Sequence, residues 1–413
     1  MKLDTAFVRR QYPVFQNPET ARWAMFENAG GSYVPHQVIH QLTRFFKFSK
    51  VQPYGPFAAS IAAGEAMERG YRCMASLLNA HPDELTLGPS TTMNFYVLAQ
   101  AFRPILKPGD EIIVTNQDHE ANIGCWRRLE ADGAVIREWP IDPRTGELSI
   151  ADLNHLLSDR TRLVCFTLCS NIVGSMHDAA AIGAIVHAAG ALAVGDGVSF
   201  APHRVLDVNT SGLDFFLFST YKTFGTHVGV MWGEQAVLDT LVGQGHYFND
   251  HKPHYRFNPA GPQHAEIAAL AGIGSYIEAV DAHHFDDLEA SAHDKAARVF
   301  DLFADHETVL ANQVLDTLNA IPGARIIGQD RAAPGRRAAT ISFVLAETTS
   351  AAAARKLADR QIAVRNGHFY APRCLEALGI PDPEDGVIRI SIVHYNTQED
   401  VSRLVDGLQD LQR

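Results

Sequence analysis

The sequence predicts an α/β fold with a large first domain and a smaller α+β domain at its C-terminal end. Between residues 84 and 232, short apolar segments alternate with helix-forming ones, which predicts a mostly parallel sheet with helices on both faces. From about residue 263 to residue 321 the pattern is mostly helical, and strands alternate with helices again after that. This change of pattern predicts a second domain that a long helix joins to the first.

The individual elements follow from the spacing of apolar residues and from the loop-forming residues between them. Predicted helices span residues 35–47, 58–79, 93–103, 119–131, 150–157, 179–189, 263–282, 285–321, 350–360 and 397–411. Predicted strands span residues 84–87, 111–115, 134–139, 163–168, 191–196, 215–218, 228–232, 339–345 and 387–393. We expect an N-terminal segment (1–25) that packs on the small domain, a large domain (26–285) and a small domain (286–413).

Length and composition describe an ordinary globular protein. The chain has 413 residues, of which 46% are apolar and 20% charged, and its net charge of −12 argues against a general role with nucleic acids or anionic membranes. No apolar run is long enough to span a bilayer, and the segment from Met1 to Arg10 carries no secretory signal. The five cysteines form no CxxC pair, so we expect a reducing, cytoplasmic compartment.

The 19 histidines raise the question of a metal site. His246, His251 and His254 lie close together, and His283 is followed by His284. Neither group belongs to an HExxH pattern or to a Cys/His finger, so we expect no metal.

The stretch that points most directly to a function ends in Lys222. Phe215 to Phe218 is an apolar run typical of a buried strand, and it leads through Ser219 and Tyr221 to Lys222. α/β proteins build their sites at the ends of such strands, and a lysine whose amine loses its proton easily suits Schiff-base chemistry. The alternative is a lysine that merely extends from a strand end into solvent.

Two further strand ends carry groups that suit a phosphorylated ring. Ser90, Thr91 and Thr92 open a helix, where hydroxyls and free N–H groups bind phosphate, with simple N-capping as the alternative. Asp196 ends another strand, and a carboxylate there can hold a protonated ring nitrogen. An ordinary Asp-Gly turn is the alternative for Asp196.

His119 and Asn171 complete this pattern. His119 follows the strand 111–115, where its flat ring can stack on an aromatic ligand, with a capping or surface histidine as the alternative. Asn171 follows the strand 163–168 and can donate a hydrogen bond to a ring hydroxyl, with a turn asparagine as the alternative. A phosphate cradle, a ring-nitrogen acid, a stacking ring, an amide donor and an amine at successive strand ends together describe a pyridoxal-phosphate site.

Several stretches in order then match one enzyme family. They are Ser90-Thr-Thr92, His119-Glu-Ala-Asn122, Ser170-Asn-Ile-Val-Gly174, Asp196-Gly197, Ser219-Thr-Tyr-Lys222, Arg365-Asn-Gly-His-Phe-Tyr-Ala371 and Arg389-Ile-Ser-Ile-Val-His-Tyr-Asn-Thr397. From Phe26 to the C-terminal helix, the chain resembles the class V aminotransferases, and within them the cysteine desulfurase and selenocysteine lyase group. These are fold-type-I pyridoxal-phosphate enzymes, which implies a large domain with a mostly parallel mixed sheet between helices and a smaller C-terminal α+β domain.

The resemblance also implies a role for each matching residue. Lys222 matches the lysine that carries the cofactor, Asp196 the partner of the ring nitrogen and Arg389 the arginine that grips the substrate carboxylate. The residues expected to bind the cofactor are Thr91, Thr92, His119, Asn171, Asp196, Ser199, Ser219, Tyr221 and Lys222. The residues expected to bind substrate are Arg389, Arg365 and His368, and those expected to take part in catalysis are Lys222, His119 and Tyr370.

Three positions depart from the family pattern. The family usually has histidine where Tyr221 stands and often glutamine where Ser199 stands, although tyrosine can still donate to phosphate. In the desulfurases, an Arg-x-Gly-His-His-Cys motif carries the cysteine that takes sulfur as a persulfide, and here Tyr370 occupies the cysteine position. Cys374 lies four residues later as an alternative nucleophile. The other cysteines, Cys73, Cys125, Cys165 and Cys169, are expected to be packing residues in helices or a strand.

These departures favour a reaction that needs no enzyme cysteine. We expect a C–S lyase type of β-elimination on a cysteine-derived amino acid, in which Lys222 moves the proton at Cα, a group at Cβ leaves, and pyruvate and ammonia result. The alternatives are an aminotransferase or an epimerase on the same fold, or a cysteine desulfurase that uses Cys374. A binding protein without chemistry is a further alternative, against which the set of Lys222, Asp196 and Arg389 argues.

The resemblance also implies a homodimer with active sites at the interface. Family members bind phosphate across that interface through a Gly-Thr pair that follows Arg-Phe. Here Arg256 and Phe257 are followed by Gly261, Pro262 and Gln263, so the contact is expected in an altered form. The pocket loops 51–59 and 243–262 are expected to select the substrate.

Overall fold

A sheet of seven strands is the centre of this computed structural model, which describes residues 1–287 and 289–411. The strands are β1 (Ala24–Met25), β2 (Leu85–Gly88), β3 (Glu111–Thr115), β4 (Val135–Trp139), β5 (Thr161–Thr167), β6 (Leu192–Asp196), β7 (Phe215–Ser219), β8 (Gly229–Gly233), β9 (Ala324–Ile327), β10 (Thr340–Leu345), β11 (Ile362–Ala363), β12 (Arg365–Gly367) and β13 (Val387–Ser391). Seven of these strands form the central sheet, in the order β2-β8-β7-β6-β5-β3-β4.

The strand directions bring the ends of several strands to one edge of this sheet. β4, β3, β5, β6 and β7 are parallel, β8 is antiparallel to β7, and β2 is antiparallel to β8. The register aligns Thr167 with Asp196 and Asp196 with Leu217. The carboxyl ends of β5, β6 and β7 therefore meet at one edge, where sheets of this kind hold their sites.

The continuous apolar run before Lys222 is explained by burial on both faces of the sheet. Successive side chains of a strand point to opposite faces. Phe216 and Phe218 of β7 accordingly pack into one hydrophobic cluster, and Phe215 and Leu217 pack into another. A strand that is covered on both faces has no polar face, and this gives the uninterrupted run that the sequence displays.

Helices cover both faces of the central sheet. The helices are α1 (Thr5–Arg10), α2 (Pro18–Ala21), α3 (His36–Phe48), α4 (Ala58–Leu78), α5 (Thr91–Phe102), α6 (Gly124–Arg127), α7 (Ile150–Leu156), α8 (Ala179–Ala188), α9 (Gln235–Leu238), α10 (Pro253–Arg256), α11 (His264–Ala269), α12 (Ala271–His284), α13 (Ala292–Asn319), α14 (Ser350–Asp359), α15 (Pro372–Ala377) and α16 (Gln398–Asp410). α4, α8 and α12 contribute to the cluster on one face, and α5, α6 and α9 to the cluster on the other. Within residues 1–287 and 289–411, no helix combines the length and apolarity that crossing a membrane requires.

A second, antiparallel sheet lies in the C-terminal part of the chain. Its order is β12-β13-β10-β9, and it shares a hydrophobic cluster with α14 and α16. α13 contributes Val299 and Phe303 to a cluster of the central sheet, and Val314 and Leu318 to the cluster of the second sheet. One amphipathic helix therefore joins the two cores.

The first residues of the chain contact its last third. Arg9 Nη1 lies 3.0 Å from Asp400 Oδ2 and 3.3 Å from the backbone oxygen of Tyr395. The Tyr12 hydroxyl lies 3.2 Å from His394 Nε2, and β1 pairs in parallel with β11. The domain limits 1–25, 26–285 and 286–413 stay a prediction.

Three predicted helices differ from the structure. The helix predicted at 263–282 is divided into α11 and α12, with Leu270 between them. The helix predicted at 119–131 is broken into a 3₁₀ turn at Glu120–Asn122, α6, and a second 3₁₀ segment at Arg128–Asp132. At the break, the buried Asn122 donates its side-chain amide to Asp118, and Gly124, a poor helix former, follows two residues later. The helix predicted at 285–321 begins only at Ala292, and residue 288 within that prediction lies outside the described residues.

Candidate active site

Two adjoining cavities lie at the carboxyl edge of the central sheet. The inner cavity has a volume of about 140 Å³ and the outer one about 320 Å³. The cavities share His119, Asn171, Tyr221 and Lys222. The inner cavity contains all nine residues predicted to bind the cofactor, and the outer one contains Arg365, His368, Tyr370 and Arg389. The structure thus brings together every residue predicted for the site, and the role of each stays a prediction.

One end of the inner cavity is formed by the start of α5. Ser90 caps this helix, with its hydroxyl accepting a hydrogen bond from the Met93 N–H at 3.2 Å. The hydroxyls of Thr91 and Ser219 lie 2.7 Å apart. At Gly229, an added Cβ would come within 2.3 Å of the carbonyl carbon of Ser90, so only glycine lets β8 approach this turn. Hydroxyls and first-turn N–H groups of this kind bind phosphate.

Lys222 lies in a 3₁₀ turn directly after β7 and is buried. Burial and, to a smaller extent, the nearby positive charge of Arg389 lower the pKa of its amine to about 8, although Asp196 and Glu27 act in the opposite direction. A lysine with this pKa has a substantial fraction of free amine near neutral pH. It is therefore suited to attack a carbonyl group.

Asp196 stands at the end of β6 and is also buried. Its Oδ1 accepts a hydrogen bond from the Val198 N–H at 2.8 Å. Burial raises the pKa of this carboxyl to about 6, although that hydrogen bond and Lys222 partly offset the effect of burial. The group is consequently ionised above about pH 6 and can hold a cationic ring nitrogen.

His119 presents an uncharged ring to the cavity. Burial lowers its pKa to about 3, and the charges of Lys222 and Arg389 contribute. Its Nδ1 accepts a hydrogen bond from the Ala121 N–H at 3.1 Å, which holds the ring at the start of a 3₁₀ turn. A neutral, oriented imidazole can stack on an aromatic ring without repelling a cation in that ring.

Asn171 and Ser199 complete the inner wall. Asn171 donates its side-chain amide to the backbone oxygen of Phe369 at 2.9 Å, and its own backbone oxygen accepts from Arg389 Nη1 at 3.3 Å. Asn171 thus contacts both Phe369 and Arg389 of the outer cavity, in addition to lining the inner one. Ser199 is buried beside Asp196 and Val198 in the cavity lining.

Arg389 is the buried cation of the outer cavity. Its guanidinium carbon lies 3.7 Å from the centre of the Phe369 ring, and its Nη2 lies 3.4 Å from Glu27 Oε1. Burial lowers the pKa of Arg389 to about 10, so it stays charged at neutral pH. Arg365 pairs with Arg389 across β12 and β13, but its side chain is largely exposed. An oriented, buried guanidinium suits a carboxylate ligand.

Tyr370 lines the outer cavity and Cys374 lines neither cavity. Tyr370 is 69% exposed, and Phe369 and Tyr370 both have positive φ angles, 49° and 59°, which turn the chain sharply. His368 Nδ1 accepts from the Tyr370 N–H at 3.0 Å and so holds this turn. Cys374 is fully buried in α15 among apolar side chains, and burial raises the pKa of its thiol to about 12.

The cysteine prediction needs one correction. Cys73 and Cys125 lie in helices and Cys165 in β5, as expected, but Cys169 lies in the turn after β5 and lines the inner cavity. The predicted strand 163–168 ends one residue before Cys169, and β5 itself ends at Thr167. Burial raises the pKa of the Cys169 thiol to about 12, so it stays protonated.

The sequence analysis missed several residues of the cavities, and Glu27, Phe369, Glu384 and His227 are the ones that bear on the chemistry. Glu27 and Phe369 contact Arg389, and Glu384 lines the outer cavity. His227 lines the inner cavity, where its ring stacks on Tyr221 with centroids 4.5 Å apart and its Nδ1 lies 3.1 Å from the Pro89 oxygen. A histidine just beyond the Lys222 loop was a visible signal, but Glu27 had none, because it belongs to a distant part of the chain.

No metal-binding cluster accompanies this site. In the part of the chain that the structure describes, no three or more His, Cys, Asp or Glu side chains converge as ligands. His254 stacks on Tyr71 instead, and His283 contacts Asp4.

The groups in the inner cavity fit pyridoxal phosphate. The start of α5 provides hydroxyls and N–H groups for the phosphate, Asp196 an anion for the ring nitrogen, His119 a flat neutral ring, and Lys222 an amine for the aldehyde. Gly229 permits β8 to approach the backbone of Ser90 and Thr91 at this end of the cavity.

Comparisons with known proteins agree with this chemistry. The family model described as aminotransferase class-V matches residues 24–404. The aminotransferase-like protein FGM3 of Gibberella zeae is 33% identical over 411 residues, and the match covers 97% of this chain and 97% of FGM3. The cysteine desulfurase-like protein ustD of Aspergillus flavus is 31% identical over 420 residues, which cover 99% of this chain and 91% of ustD.

A solved structure agrees as well. The crystal structure of the cysteine desulfurase CsdA from Escherichia coli matches with a TM-score of 0.82 at 25% sequence identity, and the match covers 100% of this chain and 99% of CsdA. The large mixed sheet and the smaller antiparallel sheet are therefore those of the cysteine desulfurases. The chain belongs to the class V aminotransferase family and is a pyridoxal-phosphate-dependent enzyme like the cysteine desulfurases.

Proposed function

We propose that the enzyme cleaves the bond between Cβ and sulfur in a cysteine-derived amino acid by β-elimination, without forming a persulfide on a cysteine of its own. The observation that carries this proposal is the lining of the outer cavity. Tyr370 lies there, whereas Cys374 is buried among apolar side chains with its thiol pKa raised to about 12. A thiol that is both buried and protonated is a poor nucleophile.

The residues of the site divide the work of this reaction. Arg389 holds the carboxylate of the amino acid, and Asp196 keeps a proton on the ring nitrogen of the cofactor. When bound, pyridoxal phosphate supplies an electron sink for the carbon that bears the amino group. Lys222 removes the proton from that Cα, for which its lowered pKa of about 8 is suitable. His119 stays neutral and supports the ring from one face.

Tyr370 is proposed to act at the end of the substrate that carries the sulfur, away from the carboxylate that Arg389 holds. Its side chain faces the outer cavity, and its ring centre lies 5.3 Å from that of His119. There it protonates the departing sulfur group or forms a wall against larger side chains. Pyruvate and ammonia are the expected final carbon and nitrogen products.

A panel of amino acids tests this proposal. The holoenzyme is incubated with cysteine and its S-substituted derivatives, and pyruvate and the released sulfur compound are measured in parallel. We expect equal amounts of both without any added keto acid. A strict need for a keto-acid acceptor would instead identify an aminotransferase, and inversion at Cα without pyruvate would identify an epimerase.

The proposal includes a homodimer and a cytoplasmic location. Exposed apolar side chains on neighbouring elements, among them Phe46, Phe48, Phe57 and Phe248, support a second copy as partner. All five cysteines are free, which is consistent with a reducing compartment. Light scattering of the purified holoenzyme is expected to give twice the mass of one chain.

A further inference from the structure

The carboxylate of Glu27 lies between the two arginines of the outer cavity. Its Oε1 is 3.4 Å from Arg389 Nη2 and 3.8 Å from Arg365 Nη1. The Glu27 side chain is 16% exposed and that of Arg389 is 3% exposed, so the first pair is nearly withdrawn from solvent. An acidic side chain therefore already occupies the face of Arg389 that a carboxylate ligand needs.

The backbone around Glu27 is shaped to hold that carboxylate. Residues Asn28–Gly30 form a 3₁₀ turn, in which the Gly30 N–H donates to the Glu27 backbone oxygen at 3.1 Å. A Cβ on residue 30 would come within 2.1 Å of Glu27 Oε1. The absence of a side chain at Gly30 thus leaves the space that the carboxylate fills.

The remaining contacts of Arg389 leave it little freedom to turn away. Its Nη1 donates to the Asn171 backbone oxygen at 3.3 Å, and its guanidinium lies 3.7 Å from the Phe369 ring centre. Arg365, by contrast, is largely exposed and free to follow Glu27. Arg365 and Arg389 carry two positive charges and Glu27 carries one negative charge, so one positive charge of this group is uncompensated.

We propose that Glu27 is a specificity-determining residue that stands in for the substrate carboxylate on Arg389 and gives way to it. The proposal rests on the proposed function in one respect, namely that Arg389 holds the carboxylate of an amino acid. On binding, the substrate carboxylate takes Nη2 of Arg389, and Glu27 keeps Arg365 as its partner. Every carboxylate ligand must therefore compete with a tethered carboxylate, whereas an amine without a carboxylate leaves the pair intact.

Two probes compare a ligand that carries a carboxylate with an amine that does not. The wild-type holoenzyme is titrated with L-alanine and with ethylamine, which is the same molecule without its carboxylate, and binding is followed by the visible absorbance of the bound cofactor. In Glu27→Gln, the half-saturating concentration of L-alanine is expected to fall roughly fivefold, as for loss of a partly buried competing ion pair, while that of ethylamine stays the same. Glu27→Asp, whose shorter side chain weakens the pair, is expected to shift L-alanine in the same direction.

The matched control is Glu384→Gln, which removes the same charge from the wall of the same cavity. It is expected to change the ratio of the two half-saturating concentrations less than Glu27→Gln does, because the ion pair of Arg389 is with Glu27. If Glu27→Gln raises the half-saturating concentration of L-alanine, or shifts both probes equally, Glu27 is no stand-in and the proposal is wrong. If the wild-type enzyme itself does not prefer L-alanine to ethylamine, Arg389 is not the carboxylate anchor, and the proposed function fails together with this inference.

Discussion

The pKa of Lys222 is set by its neighbours. Burial and the charge of Arg389 disfavour the protonated amine, and Asp196 and Glu27 only partly offset this. Its pKa of about 8, compared with an ordinary value of 10.5, marks it as the amine of the site.

We expect the rate of covalent loading of the apoenzyme with pyridoxal phosphate to follow this pKa. The neutral amine is the reactive form, so the rate should rise with pH up to about 8 and then level off. Borohydride reduction followed by mass spectrometry measures the loaded fraction over time. Lys222→Ala is the control and should show no reducible attachment. A rate that keeps rising toward the ordinary lysine pKa would contradict the prediction.

Cys374 is expected to be dispensable for activity. In Cys374→Ala, release of sulfur and of pyruvate should stay within about twofold of wild type, because the thiol lies outside both cavities, while the free energy of unfolding should fall by about 1 kcal/mol from lost packing. Cys165→Ala, which empties an equally buried position in β5, provides the comparison. Loss of sulfur release in the Cys374 variant alone would show that it is the nucleophile.

The elements of the site illustrate what local sequence patterns can predict. β3, β5, β6 and β7 were predicted within a residue or two, because apolar runs bounded by turn residues signal buried strands. The two-residue strands β1 and β11 escaped prediction, since their pairing depends on contacts between distant segments. The broken helix after His119 escaped as well, because the buried side-chain contacts of Asp118 with Thr115 and Asn122 are not visible in the local apolar pattern.

The close approach of β8 to the start of α5 can be tested by substituting glycines of β8. In Gly229→Ala, the new methyl group would meet the backbone of Ser90 and Thr91, so the phosphate end must shift, and the affinity for pyridoxal phosphate should fall roughly tenfold or more. Gly233→Ala lies on the same strand but meets the side chains of Phe215 and Leu238 away from the cavity.

Both glycine variants should therefore lower the melting temperature, and only Gly229→Ala should weaken cofactor binding. Equilibrium dialysis of the apoenzymes measures the affinity. Equal affinities in the two variants would show that the close approach at Gly229 has no part in holding the phosphate.

For the molecule as a whole, the N-terminal segment holds distant parts of the chain together. Arg9 pairs with Asp400 at 3.0 Å, with side chains that are 22% and 9% exposed. Asp4 contacts His283 at the end of α12. These first residues therefore contact both the helical layer of the central sheet and the C-terminal helix.

We expect Arg9→Ala to lower the free energy of unfolding by about 1–2 kcal/mol, because it leaves the nearly buried carboxylate of Asp400 without its charged partner. Arg72→Ala removes an exposed pair with Glu68 and should cost less than about 0.5 kcal/mol. Urea unfolding monitored by circular dichroism compares the two. Equal losses would mean that the N-terminal contact is no stronger than a surface pair.

The assembly of the complete site also depends on the fold of the whole molecule. The strand-end residues were predicted because each follows a recognisable element, and the resemblance added Arg389. Glu27 lies 362 residues before Arg389, and nothing in its local sequence distinguishes it from a loop glutamate. Only the folded arrangement of both sheets brings such a pair together.

The link between Asn28 and Ser391 has a consequence for synthesis on the ribosome. The side-chain amide of Asn28 donates to the Ser391 backbone oxygen at 2.7 Å across 363 residues of sequence. At a translation rate of about 5–20 residues per second, the two partners emerge about 20–70 seconds apart. The nascent chain can form the turn around Lys222 during that interval. Arg365 and Arg389, which line the outer cavity, are synthesised later. Translation thus supplies the strand ends that line the inner cavity before it supplies the two arginines of the outer cavity.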